Sequence, residues 1–477
     1  MGLFYRIFLI FIFIFLSCTP ITQEKNISIK ETIKEKIAIE PKQKKIIVPK
    51  KTIVKSSNNV RVGLVENEKK IIFSFKGSYS IYNEQKMIFK KKQSTDTWKA
   101  YLTKDKILCV ENVNSGEKVA VNNKIIFKPE QIASYIKLGK IKSGKGWHWE
   151  NTKSRCYKGS IEFIKFKGKI TVVNDVGVEQ YLYGVVPSEM SALSPFEALK
   201  AQAVLARTNV FSDLGKKYKN KPYSLYSDVY SQVYTGISKT HERANKAVDE
   251  TRGIILRNNG KPVQALFHSV CGGHLESNDV IWSGNKLSYL PSKVDGSSNL
   301  GKYNDLSSER LFKKWIDSRP DAYCNMADKK INKALNYAKK YFRWTKKYSR
   351  KKLEQIIKKK TGKNFGTLKD IKIVKRGKSG KAISLKVVGT KSTVTINKEL
   401  NIRKKLSNPP LYSANFYVIK KGGYTPSEFI FKGAGFGHGT GMCQIGACGM
   451  ASLGKDFREI LDFYFPNTKL SSIEMNK

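Results

Sequence analysis

Residues 159–173 read Gly159-Ser-Ile161-Glu-Phe163-Ile-Lys-Phe166-Lys167-Gly168-Lys-Ile170-Thr-Val-Val173, and some twenty residues later comes Ser194-Pro195-Phe196-Glu197-Ala-Leu-Lys-Ala-Gln-Ala-Val-Leu-Ala-Arg207. The first stretch alternates apolar residues on either side of a Lys167-Gly168 turn, which predicts two paired strands. In the second, Ser194 stands three residues before Glu197 with Pro195 between them. That spacing predicts a capping box with proline in the first helical turn, and a helix running to about Phe211. Its alanines allow close packing against neighbours. Strands and helices interleaved without a regular strand-helix-strand series predict an α+β chain, β-rich at its core.

Working outward, Val60, Val62 and Leu64 alternate with polar residues, as do Ile71, Phe73 and Phe75. Short strands with Asn, Gly and Lys between them continue to about residue 140, so 59–140 reads as a small β-rich N-terminal domain. Residues 141–470 form the second region. Within it, Asn258-Asn259-Gly260 marks a hairpin turn. A Lys-rich insertion at about 300–365 has helical spacing, with Leu311, Trp315, Leu335, Ala338 and Tyr341 as core positions. Strands return at Ile371–Val374, Ile383–Val388 and Thr393–Ile396, and a short helix spans Phe457 to Phe465.

At the start of the chain, Arg6 precedes ten apolar residues, Ile7 to Leu16. Ten residues rise about 15 Å as a helix, too little to cross a bilayer and suited to a signal peptide. Ser17-Cys18 follows and resembles a bacterial lipobox. Residues 1–18 are therefore expected to be a lipoprotein-type signal with Cys18 lipidated, and 19–58 a polar tether. The expected location is outside the cytoplasmic membrane, anchored to it. The net charge is +49, from 88 Lys+Arg against 39 Asp+Glu. So basic a chain is attracted to polyanions. No zinc-finger, RRM or basic-zipper pattern accompanies the charge, so an anionic wall or membrane surface is expected rather than nucleic acid. The remaining six cysteines show no CxxC spacing and admit fifteen pairings, so no disulfide is assigned.

Three segments carry residues suited to chemistry. Gly184-Val-Val-Pro187-Ser188-Glu189-Met190 sets one carboxylate beside an apolar run. Burial there raises a carboxyl pKa, as a general acid at neutral pH requires. The alternative is a glutamate held by backbone amides ahead of the next helix. His268-Ser-Val-Cys271-Gly-Gly-His274 offers three ligand types around a glycine turn, suited to zinc if a fourth ligand joins, or else to hydrogen bonding within a turn. Gly433-Ala-Gly435-Phe-Gly437-His438-Gly439-Thr-Gly441 has five glycines in nine residues, so it forms neither regular strand nor helix and lets backbone approach a ligand. It lacks the GKS/T ending and setting of a phosphate loop.

Taken together, these segments resemble the SpoIID/LytB family. The motifs are Asn174-Asp-Val-Gly-Val-Glu179-Gln-Tyr181-Leu182-Tyr-Gly184, Pro187-Ser-Glu189-Met190, Glu197-Ala-Leu-Lys-Ala-Gln-Ala-Val-Leu-Ala-Arg207-Thr, Asp228-Val-Tyr-Ser-Gln232-Val-Tyr234-Thr-Gly236, His268-Ser-Val-Cys271-Gly-Gly-His274 and Gly435-Phe-Gly-His438-Gly-Thr-Gly-Met-Cys443-Gln444-Ile-Gly446-Ala447. The resemblance implies a peptidoglycan lytic transglycosylase with Glu189 as catalytic acid and base. It implies Tyr181, Arg207, Gln232, Tyr234, His438 and Gln444 as candidate substrate contacts, with packing the alternative for Tyr181, Gln232 and Tyr234. It also implies a zinc ion at His268, Cys271 and His274. Glycan strands are the expected partner. The other function it implies is that of a non-catalytic activator of a cell-wall amidase. Cys443 replaces a usual serine and Ser191 a usual proline.

Overall fold

The computed structural model describes residues 59–143, 151–228, 231–282, 284–326 and 333–473. The expected signal peptide, Cys18 and the tether lie outside them. The α+β expectation holds. A seven-stranded sheet orders its strands Leu225–Tyr226, Asn59–Glu68, Lys169–Gly177, Ser160–Phe166, Lys124–Pro129, Ser78–Asn83 and Lys86–Gln93. A six-stranded sheet runs Asn151–Tyr157, Tyr135–Ser143, Lys70–Lys76, Trp98–Leu102, Leu108–Asn112 and Lys118–Val121. Phe73 of the second sheet meets Phe127 and Phe163 of the first at ring separations of 5.4 and 4.6 Å. The alternating residues read from the sequence are the ones buried between the sheets.

Residues 59–140 do not close on themselves. Asn59–Glu68 pairs antiparallel with Lys169–Gly177, and Lys124–Pro129 pairs with Ser160–Phe166. One continuous core runs from Val60 through the helices to Phe465. Sheet pairing across residue 140 thus fixes the segment that leads into Glu189.

The expected helix spans Phe196–Asp213 and buries Ala198, Ala201, Ala203 and Ala206 completely. The expected capping box at its start does not form. Pro195 occupies the cap without a side-chain bond. Glu197 instead binds Lys200 and accepts from the Phe457 amide at 2.9 Å. The capping box lies at Asp456 and Glu459, opening helix Phe457–Tyr464. Ile254–Asn258 and Lys261–Pro262 make the hairpin about Asn259-Gly260, both residues at positive φ. In the 300–365 insertion, helices Glu309–Asp317 and Arg350–Thr361 are interrupted by strand Trp344–Ser349, which pairs with Glu428–Gly433. Trp315, Leu335, Ala338 and Tyr341 are buried as expected. No helix among the described residues is long and apolar enough to cross a membrane.

Candidate active site

The segment before Glu189 is itself helical, Val178–Glu189. Its valines and Pro187 speak against a helix when read locally, but Pro187 falls in the last turn, and Val178, Tyr181, Leu182, Val185 and Val186 pack into the core. Ser188 Oγ donates to Gly184 O at 2.6 Å and meets Thr235 Oγ1 at 2.7 Å, tying the last turn to the neighbouring loop. Glu189 is therefore the final residue of a helix, not a residue ahead of one.

The Glu189 side chain is half-buried. Oε1 accepts from the Val233 amide at 2.7 Å, and Oε2 has no partner among the described residues. Burial pushes the carboxyl up from 4.5 to about 7; Asp228 adds to the rise, while the Val233 amide and Lys239 oppose it. The position at a helix C-terminus also disfavours negative charge. A carboxyl raised into this range exchanges its proton near neutral pH, the condition for one group to give a proton and then take one back. Val233, Lys239 and Asp228 are brought to Glu189 by the fold. A backbone amide has no side-chain signature, although Asp228 and Val233 both lie inside a quoted motif.

The second and third chemical segments pack together behind this carboxylate. Phe267–His268 pairs in parallel with Met442–Cys443, and Val270 and Phe436 exchange backbone bonds of 3.1 and 2.7 Å. The next residue, Gln444, donates through Nε2 to Glu189 O and to Gln202 Oε1, both at 3.2 Å. Gln444 thus positions the helix end that carries the acid. His438 accepts at Nδ1 from the Thr440 amide and donates from Nε2 to Phe267 O, which fixes a neutral tautomer. Burial, then His268, then Lys381 hold its pKa well below 6.5. Trp282, 42% exposed, stands over the His438 ring at 5.0 Å.

One candidate substrate contact, Arg207, is corrected, and three others take the packing alternative. Arg207 is fully buried. It grips Glu179 with two bonds of 2.8 and 2.7 Å and donates to Val248 O and Ile254 O, so its guanidinium is consumed inside the fold. Tyr234 is 2% exposed and gives its hydroxyl to Asn174 Oδ1 at 2.8 Å. Tyr181, its ring 4.7 Å from Tyr234, and Gln232, which donates to Ala206 O, are also buried, and all three take the packing alternative beneath Glu189.

Among the described residues the ligand atoms of His268, Cys271 and His274 do not gather into one metal shell. His268 Nδ1 bonds Thr440 O at 3.1 Å. Both ring nitrogens of His274 face backbone carbonyls, Leu275 O at 2.8 Å and Asn304 O at 3.2 Å. Each histidine is held by backbone, and neither joins Cys271 in a cluster of ligand atoms.

Residues 166–257, which hold Glu189 and Val233, match the family described as stage II sporulation protein. Residues 276–441 match a domain of unknown function, DUF8618. An uncharacterised protein of Brachyspira hyodysenteriae is 31% identical over 410 residues, 86% of this chain and 92% of that one. The amidase enhancer of Bacillus subtilis is 29% identical over 305 residues, 61% of this chain and 40% of that protein. Stage II sporulation protein D of the same organism is 26% identical over 321 residues, 63% of this chain and 76% of that one. With the Glu189 helix, the alanine helix and the glycine loop arranged about one carboxylate, with the family match over residues 166–257 and with a relative that matches 86% of the sequence, the chain belongs to the SpoIID/LytB family.

Proposed function

We propose that this protein acts on the bacterial cell wall as a peptidoglycan lytic transglycosylase, held outside the cytoplasmic membrane by a lipid on Cys18. The observation that carries the reading is the Glu189 carboxyl. It is buried enough to hold a proton near neutral pH, pinned at one oxygen by Val233, and without a partner at the other among the described residues. Protonated Glu189 gives its proton to the oxygen linking MurNAc to GlcNAc, and that bond breaks with oxocarbenium character at C1. The carboxylate left behind takes the proton from the C6 hydroxyl of the same MurNAc. That oxygen bonds to C1 and closes a 1,6-anhydro ring. Because the nucleophile belongs to the substrate, one carboxylate completes the cycle, and the intramolecular attack gains from proximity. Val233 holds the carboxyl in place and Gln444 fixes the helix end beneath it.

A second reading draws on the relative named amidase enhancer. In it the protein binds glycan and stimulates a partner amidase, and the Glu189 proton is not needed.

One experiment separates the two. The protein and its Glu189→Gln variant are incubated with purified peptidoglycan, with and without stem peptides, and products are read by mass spectrometry. Anhydromuramyl ends from the parent alone support the transglycosylase. Equal anhydro product from both proteins removes Glu189 from the chemistry. No anhydro product from either, together with stem-peptide release only when an amidase is added, supports the activator.

A further inference from the structure

Three cysteines and an aspartate meet deep in the fold. Cys271 comes from the Cys-Gly-Gly turn, Asp295 follows strand Lys293–Val294, Cys324 comes from the Lys-rich insertion, and Cys443 stands at the head of helix Gln444–Ser452. All four are completely buried. One ligand atom from each lies within 4.8 Å of the others. Cys271 Sγ is 3.4 Å from Cys324 Sγ and 3.0 Å from Asp295 Oδ2. A tetrahedral ion with metal–sulfur bonds of about 2.3 Å places its sulfurs roughly 3.8 Å apart, so the cluster already has the size of such a shell.

We infer that Cys271, Cys324, Cys443 and Asp295 form a structural zinc site with all four positions filled by protein. Soft thiolates with one carboxylate suit zinc, and a closed shell in a dry core leaves no place for substrate.

Independent features around the cluster support the site. The amides of Gly273 and Gly446 donate to Cys271 Sγ and Cys443 Sγ, each at 3.3 Å, and the Cys271 amide donates to Cys443 Sγ at 3.3 Å. Such bonds stabilise sulfur carrying negative charge. Tyr464 donates to Asp295 Oδ1 at 2.6 Å, which turns Oδ2 toward the sulfurs. Gly446 lacks a side chain where a Cβ would overlap the Tyr464 hydroxyl and stand 2.7 Å from Asp295 Oδ2. Arg343 gives its guanidinium to the carbonyls of Gly272, Trp315, Ile316, Ser318 and Phe342, none of which carries charge. Its positive charge beside Gly272 offsets part of the negative charge of a three-thiolate, one-carboxylate zinc complex.

Binding exchanges protons for metal. Zinc displaces the protons held by three thiols and one carboxyl, up to four in all, and leaves a complex of net charge −2. No electron moves and no sulfur is oxidised. A disulfide between Cys271 and Cys324 is the rival use of the same atoms, but it does not use Asp295 Oδ2, 3.0 Å from Cys271 Sγ, and leaves Cys443 Sγ as a helix cap only. The bound ion would clamp the Cys-Gly-Gly turn, the insertion and the helix after the glycine loop at one point. Cys443 immediately precedes Gln444, so the clamp ends one residue from the contact that holds Glu189. The inference stands whether or not the protein cleaves glycan.

The test is metal content of the full-length protein purified under reducing conditions without added chelator, read by elemental analysis with a thiol count after denaturation. The expected result is one zinc per chain and no disulfide among Cys271, Cys324 and Cys443. Cys324→Ala should lose the metal, while His274→Ala should keep it. Should Cys324→Ala fail to fold, cobalt exchanged into the parent gives the second readout: an intense thiolate-to-cobalt charge-transfer band with tetrahedral d–d bands. A metal-free parent, a Cys271–Cys324 disulfide, zinc lost in His274→Ala but kept in Cys324→Ala, or a cobalt spectrum without thiolate bands each overturns the site.

Discussion

Replacing Glu189 by Gln should remove activity and make the protein more stable at alkaline pH, and the size of the gain follows from burial. In the folded protein the carboxyl titrates at about 7, against 4.5 for an unperturbed glutamate. Between these values the native state holds a proton that the unfolded chain has released, so the native state binds more protons and its stability falls as pH rises. The glutamate's favourable contribution is complete below about pH 4.5 and gone above about pH 7. At about 1.36 kcal/mol per pH unit the full interval gives roughly 3 kcal/mol, and the carboxyl's partial solvent contact brings this to about 2–3 kcal/mol. Glutamine keeps an oxygen for the Val233 amide and has no proton to lose. Urea unfolding of parent and variant across this pH interval should show the variant's advantage growing by that amount. A difference flat across the interval would refute the raised pKa, and with it the argument that the group is a proton donor at neutral pH. A stabilised but inactive variant is the pattern expected where function keeps a carboxyl in an unfavourable place.

Other outcomes follow from the same geometry. Anhydro product formation at low substrate should decline above about pH 7, approaching tenfold per pH unit as Glu189 loses its proton, and a flat profile to about pH 9 contradicts the acid role. Arg207→Ala strands Glu179 in the core without a partner and should cost about 3–5 kcal/mol, measured by denaturant midpoint, whereas a mere loss of substrate affinity at full stability would restore Arg207 as a glycan contact. Gln444→Ala removes the bonds to Glu189 O and Gln202 and should lower kcat and shift the alkaline limb of the pH profile, because Gln444 is a positioning residue; an unchanged profile shows that the helix end holds without it.

How far the sequence could be read depended on the range of each signal. Alternation about Lys167-Gly168, the alanine run and Asn259-Gly260 are local patterns, and strand, helix and turn stand where they pointed. Local reasoning failed where tertiary packing overrode it. Val178–Glu189 is helical because five apolar side chains are buried on it, although Pro187 argued otherwise. Ser194-x-x-Glu197 has the spacing of a capping box, yet Glu197 is drawn to the Phe457 amide 260 residues away. Arg207 sits in a motif that reads as functional, and only the fold shows its charge matched inside the core by Glu179.

The metal assignment shows the same limit and gives a sharp test. Nearness in sequence made His268, Cys271 and His274 look like one ligand set, whereas the structure turns each histidine to backbone and brings Cys324 and Cys443 to Cys271 from 53 and 172 residues away. Cys443, where relatives are expected to carry serine, caps helix Gln444–Ser452 by accepting from the Gly446 amide, a task serine performs well. Cys443→Ser should therefore leave the helix start and the parallel pairing with Phe267–His268 in place while removing one of three thiolates. If sulfur stands at this position only to cap, the variant keeps its metal content and thermal stability. If it stands there to bind zinc, circular dichroism stays native while zinc occupancy drops and the melting temperature falls toward that of chelator-treated parent.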